Sequence, residues 1–161
     1  MDYSNYYVEV AIGDVSARNT VVQFNELYEI VKKNIGKEIY RSMFLYTEEI
    51  ADHIAKSGSI KNYEGIQAVD RIVFDIDKTS EDGDEVKNKT FQLYSKLIEL
   101  GARKEHVNIW FSGRGFHVVI PNLYGFKPST YLAREVKSTI VRDFKDMVDL
   151  IYDPKRLIRL P

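Results

Sequence analysis

The chain contains no cysteine. That excludes a disulfide framework, a cysteine-ligated zinc site and a thiol nucleophile, and it fits an intracellular setting. Long apolar runs are also missing: nothing approaches the ~20 residues that a membrane helix requires, so no membrane partner is expected. The first residues, Met1-Asp2-Tyr3-Ser4-Asn5-Tyr6, carry neither the basic nor the apolar region of a secretory leader, and a cytoplasmic location is expected. Internal repeats, low-complexity tracts and Pro/Gly-rich linkers are absent, which leaves no sign of a solenoid or of beads on a string. At 161 residues, 44% hydrophobic and 29% charged, the chain has the size and composition of a single globular domain.

Net charge is nearly absent too, at -1, but it is unevenly spread. Residues 101–161 hold eleven Lys and Arg against six Asp and Glu, so this part is basic and the first hundred residues are acidic. A basic surface beside an acidic cluster suits a polyanion handled through metal ions; the competing reading is an ordinary solvated face.

Periodicity predicts alternating helices and strands. Strands are expected over 5–12 and 38–46, around a helix over 23–35 that stops at Gly36. A second helix runs from Thr47, its expected N-cap, to about Lys56. Then come a strand over Arg71–Asp77, an acidic turn over Ser80–Glu85, and a helix with Val86, Leu93, Leu97 and Leu100 on its apolar face, ending at Gly101. Two apolar runs within 107–120 form a hairpin. A helix over 129–146 and a short strand over 147–152 follow. From Arg71 onward the order is β-α-β-β-α-β, the split arrangement of ferredoxin-like sheets, and the expected class is α+β.

Within Arg71–Asp77, Ile72, Phe74 and Ile76 share one strand face, and Asp75 and Asp77 share the other. Two carboxylates about 7 Å apart on one face of an otherwise apolar strand repel unless a cation lies between them. Hard oxygen ligands favour Mg²⁺ or Mn²⁺, held by carboxylates together with substrate phosphates. The competing reading ends the strand at Phe74 and makes Asp75 and Asp77 the start of a solvated loop. Asp149, between Val148 and Leu150, is the best candidate for a third ligand, with Asp153 the alternative.

The hairpin turn reads Ser112-Gly113-Arg114-Gly115, with His117 just inside the second run. Glycines let backbone approach an anion, Arg114 can clamp a phosphate and Ser112 adds a hydroxyl donor. His117 alternates with Phe116 and Val118, so it faces the candidate site when they enter the core. A plain β-turn with an exposed arginine is the competing reading.

Asp75-Ile-Asp77, Ser112-Gly-Arg-Gly-Phe-His117, and Asp149 followed by Arg156-Leu-Ile-Arg-Leu-Pro161 occur in the order used by archaeo-eukaryotic primases. The chain resembles the catalytic core of a primase-polymerase of plasmid, phage or mobile-element type. The likeness covers residues 71–161, an RRM-like catalytic subregion, and only loosely residues 1–70, an N-terminal α/β unit. It implies template-directed nucleotidyl transfer from NTPs or dNTPs on single-stranded DNA, with or without a primer. Asp75, Asp77 and Asp149 would hold two Mg²⁺ or Mn²⁺ ions. Ser112, Gly113, Arg114 and His117 would bind the nucleotide's phosphates, and Arg156 and Arg159 the phosphates or the template. It also implies a longer replication protein, with a helicase or accessory domain beyond Pro161.

The chain departs from the cellular primases in one respect: with no Cys and three His it cannot build their usual zinc element, so no zinc is expected. Two rivals share these features. One is the primer-extending polymerase domain of bacterial end-joining ligases, which has a similar acid pair and hairpin. The other is a non-catalytic module that stacks bases on sheet aromatics.

Overall fold

A computed structural model describes residues 2–77 and 83–161. The chain is α+β, built of antiparallel strands and helices, and it divides into two compact units. The first comprises the residues up to Asp70 with 127–134 and 152–160; the second comprises 71–126 and 135–151.

In the first unit, β1 (Tyr7–Ile12), β2 (Thr20–Gln23), β3 (Ile39–Ser42), β4 (Leu45–Tyr46) and β5 (Gln67–Ala68) form a sheet closed at one edge by the later strand β9 (Leu157–Arg159). Its path is β5-β4-β1-β3-β9, with β2 also pairing β1. The expected strand over 38–46 is broken, because Met43 turns its N–H to the Arg156 carbonyl while the Ser42 hydroxyl takes the Glu9 N–H and donates to the Phe44 carbonyl. The helix expected over 23–35 starts late. Thr20–Gln23 pairs with β1 instead, a 3-10 turn follows at Phe24–Glu26, and α1 occupies only Leu27–Lys33. The next helix, α2 (Glu49–Ser57), has no side-chain cap, and the Thr47 hydroxyl bonds the Tyr63 hydroxyl.

Val8, Val10, Leu45 and Ala68 form the apolar centre of this sheet, with Tyr3, Tyr6, Val22, Phe24 and Leu27 packed against it. Two ion pairs with a buried member also belong to this unit. Glu9, fully buried, accepts from Arg18 at 2.8 Å, which raises the Arg18 pKa above its ordinary value. Arg41 makes a two-pronged contact with Asp70 at 2.9 and 3.1 Å, and its guanidinium lies 5.3 Å from the centre of the Phe24 ring.

The second unit carries β6 (Arg71–Ile76), α3 (Gly83–Glu99), β7 (Asn108–Phe111), β8 (Phe116–Pro121) and α4 (Leu132–Phe144), whose first turn belongs to the first unit. The strands form an antiparallel sheet in the order β6-β8-β7. Ile72, Phe74 and Ile76 lie on the face toward the helices: Phe74 meets Phe144 of α4 edge-to-face at 5.1 Å. Leu93 and Leu97 of α3 and Ile120 of β8 are buried as well, each burial worth roughly 1.5–3 kcal/mol. The acidic turn expected over Ser80–Glu85 falls outside the described residues up to Asp82; Asp84 and Glu85 stand in the first turn of α3.

No ladder forms over 147–152. One antiparallel bridge, Asp75 to Asp149, takes its place, since the chain turns immediately and the Ile151 N–H donates back to the Asp149 carbonyl at 3.1 Å. No described helix is long and apolar enough to cross a membrane.

Candidate metal centre

The alternation of β6 determines which side chains reach the site. Val73 and Asp75 leave the face opposite the helices, and Asp75 is buried with 4% exposure near the end of the strand. Asp77, one residue past β6, is exposed. Asp149 arrives from the segment after α4. Its N–H donates to the Asp75 carbonyl at 2.8 Å, and its carboxylate accepts the Asp77 N–H at 3.0 Å. Two hydrogen bonds therefore tie Asp149 to both ends of the Asp75-Ile76-Asp77 stretch. One carboxylate oxygen from each of the three aspartates lies within 4.8 Å of the others. The site thus takes Asp149. Asp153 sits in the first unit, where its carboxylate caps the Lys155 N–H.

His117 is the cross-strand partner of Asp75, with Nε2 3.2 Å from a carboxylate oxygen. The imidazole is buried at 7% exposure, and its Nδ1 has no hydrogen-bond partner among the described residues. Trp110 stands opposite His117 on β7, its ring edge-on at 5.8 Å, and its buried Nε1 is likewise without a partner there. No local pattern marks Trp110 in the sequence; only the register of the hairpin sets it opposite His117.

The hairpin adjoins the acids through backbone. Phe116 pairs with Ile76, so the turn before it abuts the end of β6. Gly113 has φ +110°, which requires glycine, and the Ser112 hydroxyl accepts the Gly115 N–H at 3.2 Å. That bond uses the Ser112 oxygen as an acceptor and leaves its O–H to donate. Gly115 does not serve as an open anion cradle: it is buried against Ile76 and Asp77. Arg114 is exposed at the tip.

The second unit alone builds this cluster. Arg156 and Arg159 belong to the first unit, where Arg159 pairs with Glu38 at 2.9 Å and Arg156 engages Asp153 and Met43 through its backbone.

Three carboxylates from two stretches of chain, one of them buried, could together hold a metal ion. Comparison with protein-family models, curated proteins and solved structures returns no match.

Proposed function

We propose that the chain is the catalytic domain of a DNA primase-polymerase, transferring nucleotides by metal-assisted phosphoryl chemistry. The observation that carries this reading is the convergence of Asp75, Asp77 and Asp149 within 4.8 Å, beside a hairpin whose backbone packs on Asp77. The strand order supports it. Asp149 bridges β6 on the edge away from β8, where the last strand of a ferredoxin-like β-α-β-β-α-β unit would lie.

Asp75, Asp77 and Asp149 would hold Mg²⁺ or Mn²⁺. Bound there, the cation supplies charge neutralisation at the transferring phosphoryl group and at the leaving oxygen. In the reaction, a 3′-hydroxyl oxygen bonds to the α-phosphorus of a nucleoside triphosphate as its proton passes to solvent, the bond from the α-phosphorus to the oxygen of the β-phosphate breaks, and pyrophosphate leaves with that electron pair. His117 stands against Asp75, and the exposed Arg114 guanidinium and the Ser112 O–H of the hairpin turn are the donors assigned to the β- and γ-phosphates. Arg156 and Arg159 are assigned to template or phosphate contacts on the resemblance alone.

The test is incorporation of labelled nucleotides on single-stranded DNA with Mn²⁺ or Mg²⁺, with and without an annealed primer, comparing the native chain with Asp77→Asn. Product that needs metal and falls at least 100-fold in the variant supports the reading. Synthesis without primer marks a primase, and synthesis only with primer marks the end-joining type. Absence of both synthesis and metal-dependent nucleotide binding overturns it in favour of a binding module.

A further inference from the structure

A cavity lies on the side of this sheet away from His117. Ile120 of β8 is three residues from His117, so their side chains leave opposite faces, and Ile120 lines a cavity of about 530 Å³ beneath the C-terminal halves of α3 and α4. Its floor is apolar: Leu97, Ala102 and Ile120 are all buried. At its mouth two leucines stay in water, Leu100 at 60% exposure and Leu123 at 49%. The volume is in the range of small-molecule sites, which combine an apolar body with a few converging polar groups.

The polar groups are Lys96, Arg142, Asp143 and Tyr124. The Asp143 carboxylate is already engaged, because it accepts from Nε and the outer nitrogen Nη2 of Arg142 at 2.7 and 3.0 Å and from the Tyr124 hydroxyl at 3.3 Å. The Arg142 contact also holds its pKa below the usual carboxylate range, so it stays ionised and internally neutralised. Lys96 donates one hydrogen to the Asp143 carbonyl and stands 5.1 Å from the centre of the Phe144 ring, with further N–H groups remaining. Arg142 retains its second terminal nitrogen. The hydrogen-bonding capacity left at the rim is therefore that of two cations against one anion, over an apolar floor.

We infer that this cavity binds a small amphipathic organic anion, its aromatic or aliphatic body between Leu97 and Ile120 and its acidic head on Lys96 and Arg142. Charge complementarity sets the sign of the head group, and the exposed leucines at the mouth supply apolar surface for the body to cover. The site is separate from the three aspartates and independent of the reading given to them.

The probe is 8-anilinonaphthalene-1-sulfonate, followed by fluorescence against the whole folded chain, with the uncharged N-phenyl-1-naphthylamine as its counterpart lacking the sulfonate. Saturable one-to-one binding is expected, at least tenfold tighter for the sulfonate. Lys96→Met removes a cation, and Leu100→Glu places a negative charge at an exposed position of the mouth. Each is expected to weaken the sulfonate at least fivefold, the second without disturbing the fold. Equal affinity for the two dyes, or indifference of the sulfonate to Leu100→Glu and Lys96→Met, would overturn the inference.

Discussion

The backbone of Gly115 lies so close to Ile76 that a Cβ on the glycine would stand 1.8 Å from the Ile76 carbonyl oxygen and 2.9 Å from the Asp77 Cα. Rigid backbone on the opposing side cannot turn away as a side chain could. Gly115→Ala must therefore move the hairpin off the end of β6, and Asp77 with it. The expected cost is about 1–3 kcal/mol, as for overpacking elsewhere, read from the denaturant midpoint. Mn²⁺ affinity should fall in the same variant, because Asp77 is displaced from its two partner acids.

Asp149 ties the site together in two separable ways. Its backbone bridges Asp75, and one carboxylate oxygen accepts the Asp77 N–H. Asp149→Asn keeps both contacts and relieves the repulsion among three clustered carboxylates, so stability without metal should rise rather than fall. The native chain should gain about 2.7 kcal/mol at a cation concentration of 100 times Kd, and the variant should gain little; thermal unfolding with and without Mn²⁺ reads both.

In the first unit, Arg41 is wholly buried and pairs with Asp70, whose side chain is 7% exposed. Arg41→Met takes the guanidinium from a buried carboxylate, for which a loss of about 3–5 kcal/mol is expected. Replacing both residues by apolar ones of similar volume should recover much of that loss. Urea denaturation of the two variants checks the comparison.

The Tyr124 phenol is pushed up to about 12, first by burial and then by the Asp143 charge and hydrogen bond. In the unfolded chain it ionises near the ordinary tyrosine value of about 10. Between these values the unfolded state binds fewer protons than the folded one, so the contribution of this group is complete below about pH 10 and is lost as pH rises toward 12. Tyr124→Phe should flatten the decline of stability over that window. Phenolate absorbance should show one late-titrating tyrosine fewer in the variant.

How far the site can be read from the sequence follows from the range of the forces involved. Asp75 and Asp77 stand out because a two-residue period on an apolar strand is local, and the glycine-rich turn is equally local. Asp149 is visible as an acid between apolar residues, but the alternation around it suggests a strand over 147–152 where one bridge forms. Thr20–Gln23 is too short to outweigh the helical pattern that follows it, and only pairing with β1 makes it a strand. The ion pair of Arg159 with Glu38 joins residues far apart in the chain, and no local pattern announces it. Gly115 is conspicuous as a glycine, yet its close approach to Ile76 appears only once the two strands are in register.

Mn²⁺ binding, followed by electron paramagnetic resonance for the native chain and for Asp75→Asn, Asp77→Asn and Asp149→Asn, tests the shared site most directly. If three carboxylates from two stretches of chain form one centre, the native protein binds Mn²⁺ saturably and each variant loses at least tenfold in affinity while remaining folded. Undiminished binding in any one variant, or no saturable binding by the native chain, would contradict it.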